Sequence, residues 1–154
     1  MNPGPERVAV AMKGLLVGGL LPALLFGVAG LLQKVASRAG IGSGPYLLCI
    51  GVGVLLVGGL VTLGGGPVRE VSLRSVLASG AMGMAWALGT WGVILGIARY
   101  GVPLARLAPL YNMNTLVVVV LALAVFGEFR DLAVGKLLAG TALIMVGGVL
   151  VANA

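Results

Sequence analysis

The residues best equipped for chemistry in this chain cluster in one short stretch, Pro109–Leu110–Tyr111–Asn112–Met113–Asn114–Thr115, which leads straight into Leu116 and four valines. Two amides, a phenol and a hydroxyl beside so apolar a run must find hydrogen-bond partners. An unmatched amide in hydrocarbon costs several kcal/mol. Asn112 and Thr115 are three apart and share a helix face, whereas Asn114 points elsewhere. Pro109 withholds its own N–H and weakens a helix near Ala105, freeing a carbonyl for water or a ligand. The two readings of the stretch are glue between helices and part of a substrate or conformational site.

A second group lies upstream. Trp86, Thr90 and Ile94 are spaced four apart, with Trp91 beside them, so they form a wall of a cavity or a packing ladder. Pro22, Phe26 and Gly30 make a similar ladder, with Phe26 facing any cavity and Pro22 a site of bending or gating. Glu128, just after Phe126–Gly127, is the acid nearest an apolar run. It pairs with Arg130, binds a cation or ends the helix at the surface; an acid at a helix C-terminus opposes the dipole by about 0.3–1 kcal/mol, which slightly favours a specific role.

Much chemistry is excluded. There is no histidine, and the lone Cys49 has no partner for an intrachain disulfide. Imidazole catalysis and His-rich zinc sites therefore lack their ligands. No nucleophile–base pair or phosphate-binding Gly-Lys-Ser/Thr motif occurs, so no enzyme, cofactor or metal is expected. No Asp or Glu lies deep in an apolar run, which removes the usual buried proton relay. The net charge of +6 comes from ten Lys and Arg scattered over every loop, not from a nucleic-acid-binding stripe.

The elements that must hold these residues follow from the spacing of charge. The chain has 154 residues, 60% of them hydrophobic and only 9% charged, and the charges fall between apolar stretches of about twenty residues. A helix crossing about 30 Å of hydrocarbon needs such a length. The expected fold is an all-α integral membrane protein, a bundle of five transmembrane helices at 14–32, 45–63, 75–98, 104–127 and 132–151. The first run is too long for the core of a signal peptide. The 27 glycines lie mostly inside the spans and predict close helix packing, with Gly14-x-x-x-Gly18 and Gly92-x-x-x-Gly96 as contact motifs.

With five crossings, six basic residues fall on the side of the N-terminus and four on the other. That places the N-terminus in the cytoplasm by a small margin and leaves an inverted second copy possible.

The tail PLYNMNTLVVVVLALAVFGEFRDLAVGKLLAGTALIMVGGVLVANA resembles the last two helices of an EamA-type domain of the drug/metabolite transporter superfamily. The matching features are the Pro-containing helix ending in Gly127–Glu128, then a helix with an early Gly140 and a late Gly147–Gly148. GLLQKVASRAG and the helix with Trp86 and Trp91 match more loosely. The resemblance extends over nearly the whole chain as a single five-helix unit, half of a ten-helix architecture. It implies a multi-pass protein of the inner (plasma) membrane that moves small organic metabolites by alternating access, as a homodimer among membrane lipids. The implied substrate-binding residues are Phe26, Trp86, Thr90, Trp91, Tyr111, Asn112, Asn114 and Thr115, with Pro22, Pro109 and Glu128 in coupling or gating. The first span lacks the essential Glu of the four-helix multidrug transporters, which argues against export by that route. The alternatives are a flippase for a lipid-linked substrate, with Lys34, Arg38 or Arg106 at a headgroup site, and a non-transporting scaffold.

Overall fold

The computed structural model describes residues 5–65, 71–127 and 133–153, all helical apart from short turns. It contains five apolar helices long enough to cross a membrane, at Met12–Arg38, Ser43–Leu63, Leu73–Ala98, Leu104–Phe126 and Val134–Ala152. No strand occurs among the described residues. Two compact units are present, the first ending at Gly42 and the second starting at Ser43.

The first unit is a helix in three pieces, α1 (Pro5–Leu15), a π-helical turn at Leu16–Leu20, and α2 (Leu21–Arg38). The π turn answers Pro22. A proline ring collides with the carbonyl four residues back, here Gly18, and offers it no N–H. Widening the turn just before the proline relieves that collision, and the Leu21 N–H reaches back five residues to the Leu16 carbonyl. The helix outruns the apolar stretch 14–32 at both ends. Lys13 and Lys34 stand about 31 Å apart along it, the thickness of the hydrocarbon layer, so both ammonium groups reach headgroups.

The second unit holds α3 (Ser43–Leu63), α4 (Leu73–Ala98), α5 (Leu104–Asn112), α6 (Asn114–Phe126) and α7 (Val134–Ala152). Ser72 caps α4 by accepting a hydrogen bond from the Ser75 N–H at 3.1 Å, which sets the start at Leu73. Helix ends are punctuated by glycine in the left-handed region, namely Gly40, Gly65, Gly101 and Gly127. At such points a side chain would be strained, so these four glycines serve termination rather than packing.

The core of this unit is small and lies toward one end. Ile94 and Ile97 are buried on α4 and Tyr46 on α3, with Gly96 set against Leu107 of α5 below the turn at 99–103. A second contact joins α5 to α7, where Thr141 and Gly148, seven residues apart on one face of α7, are both buried. A Cβ on Gly148 would lie 3.3 Å from the Pro109 carbonyl oxygen. Close packing through glycine is therefore local. Gly14, Gly18 and Gly92 have open space where a Cβ would go, so of the two four-spaced motifs only the Gly96 end meets a neighbour within the chain. Most other large apolar side chains face outward, as they do when lipid replaces a protein partner.

The adjacent glycines of α7 make a matched test. Gly148→Ala is expected to lower unfolding stability in detergent by about 1–3 kcal/mol, because a backbone carbonyl yields less readily than a side chain. Gly147→Ala, with nothing near its Cβ position, is expected to stay within about 0.5 kcal/mol of the parent. Thermal unfolding of the two variants side by side checks both values.

Candidate functional site

The fourth apolar span, Leu104–Phe126, runs as one helix with a single tightened turn at Met113, four residues past Pro109, where the backbone stays right-handed helical at φ −61° and ψ −12°. In a regular helix the Met113 N–H would bond to the carbonyl of Pro109. Instead it donates to Leu110, three residues back, at 3.1 Å, and the Leu116 N–H repeats the tighter pattern with Met113 at 3.1 Å. Pro109 has no N–H for the Ala105 carbonyl, as its chemistry requires. Two causes thus act within eight residues. The proline deprives Ala105 of its donor, and the tightened turn withdraws the donor from Pro109, whose oxygen lies against Gly148.

Thr115 completes the local repair. Its hydroxyl donates to the Asn112 carbonyl at 2.8 Å, supplying a donor beside the tightened turn. Such back-bonding bends helices and occupies the hydroxyl proton, leaving its oxygen as an acceptor. Thr62 and Thr141 bond in the same way to Gly58 and Leu137, each at 2.8 Å. The buried Thr141 hydroxyl therefore needs no neighbouring helix.

Asn112, Asn114 and Thr115 are exposed, and Tyr111 is 37% exposed. No hydrogen bond from either asparagine side chain is formed with another described residue. The amides of the most polar segment in the spans are thus free for water, lipid, solute or another chain. Pro109 is partly buried against α7.

On α4 the spacing of four holds as one stripe whose burial falls away from the turn. Ile97 and Ile94 are buried, Thr90 is partly covered, and Trp86 is 50% exposed. Trp91 lies off this stripe and is 43% exposed. Counted from the Gly96–Leu107 contact, Trp91 and Asn112 each stand five residues along their helices, about 7.5 Å, at the same depth. Trp86 and Thr115 stand farther from the turn. Trp91 and Asn112 share a level without closing a cavity among the described residues. An open dent of about 230 Å³ lies along α7, bordered only by Met145, Val146, Val149 and Leu150, and touches none of them.

Phe26, 71% exposed, and the partly covered Pro22 belong to the first unit. Glu128 lies outside the described residues. At the turn, the Arg99 guanidinium sits 5.9 Å from the centre of the Tyr100 ring, an arrangement common where helices meet headgroups. Among the described residues no group of His, Cys, Asp or Glu could hold a metal ion.

Sequence reasoning missed where the helix tightens and the role of Gly148. Pro109 announced a disturbance, but the tightened turn develops on its C-terminal side. Gly148 could have been found from its spacing of seven from Thr141, the period of a packed helix face.

No protein-family model, curated protein or solved structure matches the chain. What the helices define is a class, a multi-pass α-helical membrane protein.

Thr115→Val keeps the shape and deletes the hydroxyl. Amide hydrogen exchange at Met113–Val117 is expected to quicken by about fivefold, with global stability lowered by no more than about 1.5 kcal/mol. Thr62→Val, whose helix is regular, is expected to leave local exchange nearly unchanged.

Proposed function

We propose that this protein is a membrane transporter of small organic metabolites, working by alternating access as a homodimer of EamA-like units in the inner (plasma) membrane. The observation that carries the reading is the tightened turn at Met113 flanked by two exposed asparagines in an otherwise apolar span. Asparagine amides with no hydrogen-bond partner among the described residues need protein cover or water at membrane depth. A second copy, contributing its own helices, supplies that cover and completes a central cavity.

In this reading Asn112 and Asn114 bind solute through their amides, Tyr111 and Thr115 add hydroxyl contacts, and Trp86, Thr90 and Trp91 form the walls. The α5–α7 contact at Pro109 and Gly148 is the fixed part, and α6 turns against it at Met113. Pro22, with its π turn, gives the first helix a second point of bending, and Glu128 acts at the loop end in gating. Lys13, Lys34, Arg99 and Arg106 anchor the assembly to lipid headgroups.

Cysteine accessibility tests this directly in membrane vesicles, with Cys49→Ala as background. Asn112→Cys is expected to react with a membrane-impermeant maleimide at least about tenfold faster than Val118→Cys, a lipid-facing control 62% exposed in the chain. Crosslinking and native mass determination are expected to give a dimer. Equal, negligible labelling at both positions would indicate a dry core and favour a non-transporting scaffold. Labelling that requires lipid-linked substrates to be absent would favour a flippase.

A further inference from the structure

No charged residue stands between Lys13 and Lys34, Arg38 and Arg69, Arg74 and Arg99, or Arg106 and Glu128, and none follows Lys136. Those intervals include nearly all of the five apolar helices. Whichever helices surround the tightened turn at Met113, from one copy or two, their walls carry no full charge at membrane depth. What they offer is two amides (Asn112, Asn114), two hydroxyls (Tyr111, Thr115) and the indoles of Trp86 and Trp91. The tightened turn at Met113 adds no charge, because its backbone stays helical and hydrogen-bonded to Leu110.

This chemistry discriminates by charge. A solute of zero net charge exchanges water for amide and hydroxyl partners and lays any apolar face on the indoles. A net ion entering the same place loses its hydration without gaining a counter-charge. We infer that the transported solute is a small hydrogen-bonding molecule of zero net charge, neutral or zwitterionic, and that its passage moves no net charge. The inference rests on the transport reading above and adds the substrate class to it. Arg106 lies six residues before Asn112, about 120° around the helix from it, so it serves the membrane surface rather than the tightened turn.

Matched pairs of solutes separate charge from shape. Purified full-length protein in liposomes is offered uridine against uridine monophosphate, glucose against glucose 6-phosphate, and phenylalanine against phenethylamine. The expected result is that an uncharged or zwitterionic member enters at least about tenfold faster than its charged twin. That entry falls in Asn112→Ala and is unchanged when a potassium gradient with valinomycin sets the membrane potential. Asn112→Asp, nearly the same in shape, is expected at pH 8 to shift the preference toward phenethylamine. That gain of entry is one that misfolding would not produce. Asn112-dependent entry of a charged twin at an equal rate, or a solute-dependent current, overturns the inference and leaves the transport reading standing. Entry of no member above protein-free liposomes removes the transport reading and the inference with it.

Discussion

Inside hydrocarbon a backbone N–H or carbonyl has no water to bond, and this one constraint governs the rest of the molecule. It explains why the described residues are helical, and why polar side chains in the helices turn inward on their own backbone. Thr62, Thr115 and Thr141 all donate to carbonyls three or four residues earlier. It explains the π turn as well. Pro22 would leave Gly18 both crowded and without a donor, and the chain responds by shifting register over Leu16–Leu20. Departures from regular helix therefore mark places where sequence has forced a compromise. Two lie within spans, one before Pro22 and one after Pro109.

Packing follows a different logic from that of a soluble core. Lipid is as apolar as leucine, so helices gain little by hiding leucine from it. Association depends instead on close approach, and in the second unit this happens at few points: Gly96 with Leu107, and Gly148 with Pro109. Both contacts bear on α5. The stretch before Met113 meets both α4 and α7, and α6 beyond it also packs on α7 while much of its valine-rich surface stays exposed. The buried residues Tyr46, Ile94 and Ile97 lie near one end of the unit, and the packing thins toward Trp86.

The sequence was most legible where a single physical rule dominates. Charge spacing located five apolar helices, because charge is excluded from hydrocarbon whatever the neighbours do. The edges were less clear. The first helix passes well beyond Leu32 to Arg38, since amphipathic turns carrying Lys34 and Arg38 continue a helix into the headgroup layer. The fourth ends at Phe126 because Gly127 adopts φ 66°, and the fifth begins at Val134. Glycine was the least legible residue. Its abundance predicted close packing throughout, yet the same residue type ends helices at Gly40 and Gly101 and lies open at Gly14 and Gly92. A residue without a side chain gives no periodic pattern to separate those roles. The polar stretch at 109–115 stood out by composition alone, but its tightened turn depends on which carbonyl the Met113 N–H takes, which composition does not encode.

The tightened turn itself argues for a purpose. A span serving only as scaffold is built more cheaply as a regular helix, as α3 is over 21 residues with Thr62 satisfied internally. The fourth span instead combines a missing donor at Pro109, a tightened turn at Met113 and two unpaired asparagine amides. Polar groups left without partners in hydrocarbon cost several kcal/mol each, so this combination is sustainable only with water, solute or a second chain beside it. Interhelical glue would account for one amide. It gives no reason for tightening the turn between two of them. Under the proposed transport reading both features have a use, because the amides would supply contacts to a hydrogen-bonding solute and the tightened turn would be the point where α6 yields.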